Sequence, residues 1–398
     1  MKHFGKMILS AVLAAGLMAL PVYADNGVVG PTGAAAAETT SAEVGTAPAA
    51  EGTAEAGKVT ATSGTTGTAT DGPAAAAGAA VTTAGSSAAA VTAESSPAAA
   101  GASAAAVQGT GTAGTASPKV VTNSLFGGGE LMLIASREAS QNESFLITTK
   151  SGKHIMVDSG LPGDAEHLKQ VLRERGGHVD VWLITHPHSD HVGALVGILN
   201  DPASGITIDS VYYNFAPIEW YWANEEYRAQ MVVDCMAALS SLSPSVNHPN
   251  IQKGDVIDVD DVRITVMNSP YLFQTNAINN SSVAYRVELN GRRILFLGDM
   301  AVPAGNSLLN EYRDNPGELR AEIVQMAHHG EHGVDEKVYQ AVAPHICLWC
   351  CPGWLWDNDN GGGVNSGPWK TLQVRAWMDE LGVKEHCVAK DGLSAVTL

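Results

Sequence analysis

The chain has 398 residues, 45% of them hydrophobic, and its 23 Lys and Arg face 41 Asp and Glu for a net charge of −18. An acidic balance of that size repels phosphate backbones and leaves no footprint for tight nucleic-acid binding. The length would allow two or three domains, but the composition changes too sharply along the chain for that reading.

Residues 1–24 carry Lys2 and Lys6, then an apolar run over 7–20, and end on Ala24. A basic start, a short apolar core and a small final residue are the pattern of a secretory signal peptide. The run also falls short of the roughly 20 residues that a spanning helix needs. Residues 25–118 are mostly Ala, Gly, Thr, Ser and Pro, without an aromatic side chain. Such a segment cannot bury enough apolar surface to offset its ordering entropy, and it reads as a disordered extracytoplasmic linker. The expected protein is therefore exported (secreted, periplasmic or held at the cell surface) and has no transmembrane segment. Residues 119–398 remain as one large domain, itself acidic at about 20 Lys and Arg to about 34 Asp and Glu.

Within that domain, alternating or apolar runs at 131–135, 144–149 and 154–157 predict antiparallel strands. Leu168, Val171 and Leu172 at helical spacing, stopped by Gly176-Gly177, predict a helix over 164–175. Strands at 181–184 and 206–213 and helices over 191–199 and 224–242 follow. In the second half, 256–259, 262–266, 283–289 and 293–297 form a meander with Asn290-Gly291 as a hairpin turn. Helices at 308–313, 336–342 and 368–381 alternate with strands at 322–326 and 346–349. Two runs of strands, each followed by helix, predict two sheets packed face to face with helices outside. Cys347-Leu348-Trp349-Cys350 has a Cys-x-x-Cys spacing, but its apolar setting points to thiols packed in a buried strand. The aromatics Tyr212, Tyr213, Phe215, Trp220, Tyr221 and Trp222 are candidates to line a cleft or simply to pack a loop.

One stretch carries chemistry. The apolar run 181–184 stops at Thr185, and His186, His188, Asp190 and His191 then fall within six positions. Imidazole and carboxylate are the ligands of catalytic zinc, and a loop at a strand end can aim several of them at one point. Three more strand ends carry such groups: His154-Ile155-Met156-Val157-Asp158-Ser159-Gly160, Arg293-Ile294-Leu295-Phe296-Leu297-Gly298-Asp299, and Ile323-Val324-Gln325-Met326-Ala327-His328-His329-Gly330.

His-x-His-x-Asp-His followed by these motifs in this order resembles the metallo-β-lactamase superfamily. The resemblance is nearest to its ComEC-type branch, through Asn142-Glu143-Ser144, Asn279-Asn280-Ser281-Ser282-Val283 and His328-His329-Gly330. It covers roughly residues 120–398 and implies a four-layer αββα sandwich. It also implies His186 and His188 on one metal, Asp190, His191 and a closing His on a second, and Asp299 between them. Matching residue by residue makes His329 the closing ligand, with His328 as the alternative. The catalytic candidates are Asp190, to orient water and shuttle its proton, and Asp158, to orient the loop by hydrogen bonding. The implied metals are zinc at up to two sites, with manganese or another divalent ion as the alternative. The superfamily's third His on the first metal has no clear counterpart. His248 lies in a Pro-rich loop, and Asn279, Asn280 or Ser282 are candidates to face the pocket instead.

The expected function is metal-dependent hydrolysis of a small-molecule or polymer ester, foremost a phosphodiester of the nucleic-acid or phosphorylcholine type. The enzymatic alternative is a carboxylic ester, thioester or β-lactam, against which the missing third His weighs. A surface-tethered binding module with a degenerate metal site is the alternative of another class. It would require ligands to be replaced, yet His186, His188, Asp190, His191, Asp299 and His329 are all present.

Overall fold

The structure is a computed structural model and describes residues 119–121 and 128–398. The expected leader (1–24) and linker (25–118) lie outside the described residues. Among the described residues, no helix is long and apolar enough to cross a membrane.

The first half runs β1 (Lys119–Val121), β2 (Glu130–Leu133), β3 (Ser144–Thr148), β4 (His154–Asp158), α1 (Ala165–Arg173), β5 (His178–Val179) and β6 (Val181–Leu183). It continues through α2 (Ser189–Leu199), β7 (Thr207–Ile208), β8 (Val211–Tyr213), α3 (Ile218–Asn224), α4 (Glu226–Ser240) and β9 (Asn247–Pro249). The second half begins with β10 (Val256–Val259), β11 (Val262–Val266), α5 (Ala277–Asn280), β12 (Tyr285–Leu289), β13 (Arg292–Phe296), α6 (Val302–Glu311) and β14 (Ile323–Gln325). It ends with α7 (Glu336–Val342), β15 (Ile346–Trp349), α8 (Gly353–Trp356), α9 (Thr371–Glu380), β16 (Glu385–Val388) and β17 (Ser394–Thr397). One sheet has the strand order β1-β17-β2-β3-β4-β6-β8-β9 and the other β10-β11-β12-β13-β14-β15-β16, while β5 and β7 pair apart. The C-terminal strand β17 thus returns to the first sheet, between β1 and β2.

Both faces of the central strands are buried, which is why they read as continuous apolar runs rather than as an alternation. On β4, Ile155 and Val157 enter the core between the sheets, while Met156 enters the outer core under α1 and α2. Val181 and Leu183 on β6 likewise point inward, and Trp182 and Ile184 outward. Across the interface, Ile294 and Phe296 on β13 point inward while Leu295 and Leu297 point out under the second layer of helices. A side-chain period of two therefore fills three cores at once and produces the helix–sheet–sheet–helix layering that was expected.

Most of the predicted elements are present, and the departures have local causes. The predicted strand 206–213 is two strands, because Asp209 and Ser210 interrupt it and its halves pair with β5 and β6. The helix predicted over 224–242 breaks at Glu225, whose backbone leaves the helical region at φ −152° and ψ 54°. Helix α6 begins six residues earlier than predicted, with Pro303 in its first turn where a missing N–H is tolerated. The Asn290-Gly291 turn adopts φ 52° and 76°, the double positive φ of a type I′ hairpin. Cys347, Cys350 and Cys351 are buried free thiols spread over two cores, the packing role expected of them.

Candidate metal centre

The parallel strands β4 and β6 end side by side, as do β13 and β14, and the loops leaving all four meet at one edge of the sandwich. The junction is held by hydrogen bonds across the interface. Tyr285 donates its hydroxyl to the Ile184 carbonyl at 2.8 Å, and the Val283 amide donates to the Thr185 carbonyl at 2.9 Å.

The sequence places its metal candidates on this junction, and the fold brings them together. His186 Nε2 and His188 Nδ1 lie 3.0 Å apart, and Asp299 Oδ2 is 3.7 Å from His186 Nε2. His191 Nε2 lies 3.2 Å from Asp299 Oδ1. His329 Nε2 is 3.1 Å from Asp190 Oδ2 and 3.4 Å from Asp299 Oδ2. Asp299 therefore stands between a His186–His188 group and a group formed by Asp190, His191 and His329. His328 is set apart: its Nε2 is 4.0 Å from Asp299 and is engaged by Glu331 at 2.9 Å and Asn279 at 3.1 Å. Of the two adjacent histidines, His329 faces the acidic centre and His328 lines its rim.

The distal ring atoms are tied down, which aims the others. His191 Nδ1 meets Asp158 Oδ2 at 2.8 Å, His186 Nδ1 meets the Thr185 hydroxyl at 3.1 Å, and His329 Nδ1 donates to the Cys350 carbonyl at 3.1 Å. Asp158 also accepts from the Thr185 amide at 2.8 Å and the Thr185 hydroxyl at 2.7 Å. Its side chain is fully buried, and its contacts are with His191 and Thr185.

Electrostatics follow from packing many charges into little water. Burial disfavours charge on His191 and His329, but Asp299 and its neighbouring carboxylates outweigh it and hold both well above the ordinary histidine range. Asp299 is held well below the carboxylate range, because His191, His329 and His328 overcome its desolvation. His186 shifts the other way, since burial and the adjacent His191 keep it neutral. A divalent cation requires neutral imidazoles beside ionised carboxylates, so one held by His191 and His329 would take the place of the protons that the carboxylates favour there.

Three neighbours carried no metal-site signal of their own in the sequence. Glu143, just before β3, is fully buried with one carboxylate oxygen accepting from Gln325 at 2.9 Å, and burial pushes it well above the carboxylate range. Glu225 and Arg228 flank His188, with Arg228 Nη1 2.9 Å and Glu225 Oε1 3.8 Å from its Nε2. The break between α3 and α4 turns Glu225 inward, where it also accepts from the Ile278 amide at 2.9 Å. Only the Asn142-Glu143-Ser144 motif marked any of the three beforehand. Asn142 beside it is spent on the backbone of Ile134 and Leu161.

Other candidates fall outside the centre. His248 stacks on Tyr212 at 4.5 Å on the edge strand β9. Tyr221 is fully buried, bonded to Ser281 and the Ala216 amide, and so packs rather than lines a cleft. Ser282 donates to the Asn279 carbonyl and accepts from the Asp299 amide at 3.1 Å, so it supports the bridging carboxylate from behind.

Whether these residues suit a metal can be read from the polar atoms. Among the described residues, Glu143 Oε1, His191 Nε2, Asp299 Oδ1 and His329 Nε2 are buried without a partner in hydrogen-bonding geometry. Ligand atoms of these four residues lie within 4.8 Å of one another, as do those of His186, His188 and Asp299. Buried polar atoms are nearly always partnered, so unpartnered ones converging from separate strands fit a cation.

Several known proteins resemble this chain in part. The curated relative matched is the Beta-lactamase-like protein 2 homolog of Caenorhabditis elegans, 38% identical over 61 residues, which are 15% of this chain and 20% of that protein. The chain thus spans about a fifth of the length of that relative. Among solved structures, the metallo-beta-lactamase fold protein YhfI from Bacillus subtilis aligns with TM-score 0.39 and 14% identity, over 68% of this chain and 100% of that one. A diphosphatase from the PhnP family aligns with TM-score 0.33 and 12% identity, over 55% of this chain and 85% of that one. The family model described as Metallo-beta-lactamase superfamily matches residues 137–334, which include every residue of the metal centre. Over residues 137–334 the chain matches the metallo-β-lactamase superfamily, and the structure has the helix–sheet–sheet–helix layering of that fold.

Proposed function

We propose that the protein hydrolyses phosphodiester bonds with a water activated by divalent ions held between its two loop clusters. A divalent ion held there would lower the pKa of water from 15.7 to about 7 and offset the charge that builds on the phosphoryl and leaving oxygens. His186, His188 and Asp299 would hold one ion, and Asp190, His191, His329 and Asp299 the other. Asp190, with its side chain 22% exposed, is the carboxylate of the centre that reaches solvent and can accept the water's proton. Asp158, Thr185 and the Cys350 carbonyl keep the imidazoles oriented while that proton moves.

The observation that carries the choice of substrate is Arg228. Its side chain is 40% exposed, and its guanidinium lies against His188 at the centre of a strongly acidic protein. A guanidinium offers only donors, arranged in a planar fork that suits a charged phosphoryl oxygen and gains little from a neutral carbonyl. The overall acidity favours a small or locally charged diester over a long polyanion. The composition of residues 1–24 and 25–118 supports export, with the hydrolase domain carried on a linker.

The reading is tested with bis-p-nitrophenyl phosphate, p-nitrophenyl phosphorylcholine, single-stranded DNA, nitrocefin and neutral p-nitrophenyl acetate. Turnover of a diester is expected, and Arg228→Ala should raise its KM about tenfold, equivalent to about 1.4 kcal/mol, while leaving any acetate hydrolysis unchanged. Hydrolysis of nitrocefin or acetate with no diester turnover would overturn it.

A further inference from the structure

The two metal positions are not equivalent. At the His186–His188 position the nitrogen atoms already satisfy each other, since His186 Nε2 and His188 Nδ1 share a hydrogen bond of 3.0 Å. A cation entering there must replace that bond. Among the described residues it meets three protein ligands, His186, His188 and Asp299, and no third imidazole. A further obstacle stands behind His188. A cation on its Nδ1 leaves the ring hydrogen on Nε2, where Arg228 Nη1, which can only donate, is nearer at 2.9 Å than the accepting Glu225 Oε1 at 3.8 Å.

The His191–His329 position is the reverse. Here His191 Nε2 and His329 Nε2 meet carboxylate oxygens only as ion pairs at 3.1–3.4 Å outside hydrogen-bonding geometry, and Glu143 Oε1 is buried with neither a hydrogen-bond nor an ion-pair partner among the described residues. Glu143 arrives from the loop between β2 and β3, remote in sequence from the metal motifs. Two bonds fix it: its amide donates to the Asp190 carbonyl at 2.9 Å, and Gln325 holds its other carboxylate oxygen at 2.9 Å. The free oxygen is therefore left facing His191, Asp299 and His329. An unpartnered carboxylate oxygen in the interior is costly, and a cation shared with the facing imidazoles removes that cost.

We infer that Glu143 is a ligand of the His191–His329 position and that this position fills first and more tightly. Its donor set is Asp190, His191, His329, Asp299 and Glu143. Three carboxylates to two imidazoles make it oxygen-rich, which suits manganese or iron as well as zinc. The His186–His188 position fills second and sets the metal concentration at which the enzyme becomes fully active.

The test is titration of the full-length metal-free protein with Co²⁺, read by visible absorption and by calorimetry. Two resolved steps are expected. Glu143→Gln, which keeps the shape and can still accept from Gln325, should weaken the first step at least about tenfold and leave the second in place. His188→Ala should weaken only the second step. Thermal unfolding of the metal-free variants reports on the fold independently, and Glu143→Gln should match the parent there. If that variant does not fold, the His188→Ala titration still decides the order of filling, and Glu143→Asp, which shortens the ligand but keeps its charge, decides the ligand. Two equal steps, loss of the tighter step in His188→Ala, or a first step untouched by the Glu143 variants would overturn the inference.

Discussion

In the first half of the chain, His186, His188, Asp190 and His191 leave one loop between β6 and the first turn of α2. None of these four residues requires a positive φ. In the second half, Asp299 and His329 come from the tips of two different strands. The backbone there passes through left-handed conformations at Gly298 (φ 56°), His328 (φ 52°), His329 (φ 53°) and Gly330 (φ 81°). Left-handed backbone at a residue with a Cβ costs roughly 1–2 kcal/mol, so the closing histidine is held by its surroundings against its own preference. The His328 amide bonded to the Gly298 carbonyl at 3.1 Å and the His329 ring bonded to Cys350 are part of that hold. The first half thus presents its ligands by local geometry, and the second half presents them only once the sandwich has closed.

If the halves differ in this way, changes at the junction should remove more than changes within one loop. The largest effect is expected for Asp299→Ala, which takes a ligand from both positions and should abolish turnover and reduce bound metal at both, checked by activity and metal analysis. Asp158→Asn comes next. It leaves every expected ligand in place but loosens His191 and Thr185, and metal affinity should fall about 10–100-fold in a competition titration, with turnover restored at high metal. Equal loss at all metal concentrations would mean that Asp158 does more than position its neighbours.

Gly298→Ala probes the junction directly. A Cβ there would lie 2.8 Å from the Thr185 Cβ at a backbone φ of +56°, forcing one half against the other. A loss of about 1–3 kcal/mol, read as a lower urea midpoint, is expected together with weaker metal binding. Loss of stability with metal binding intact would show that the halves meet more loosely than drawn.

Much of the site was legible because metal chemistry restricts residue types and strand-end loops keep them close in sequence. His186, His188, Asp190 and His191 could be found in a single line of text. Asp158, Asp299 and His329 could be found because each follows an apolar run that had to be a buried strand. Glu143, Glu225 and Arg228 could not be found as members of the site in that way. Glu143 is one acidic residue before a strand, and Glu225 and Arg228 sit where a helix was expected to run unbroken. Period and composition describe what a residue does along its own element, and these three act across elements.

The sequence by itself determined the layering, since alternate residues of each central strand had to be buried on opposite faces. It also offered His186, His188, Asp190, His191, Asp299 and His329 as side chains able to hold a cation. Only the tertiary structure decided which of His328 and His329 turns toward Asp299, and that a carboxylate from the first hairpin joins them. Those outcomes depend on where the two sheets stop against each other, a distance that no local pattern of residues encodes.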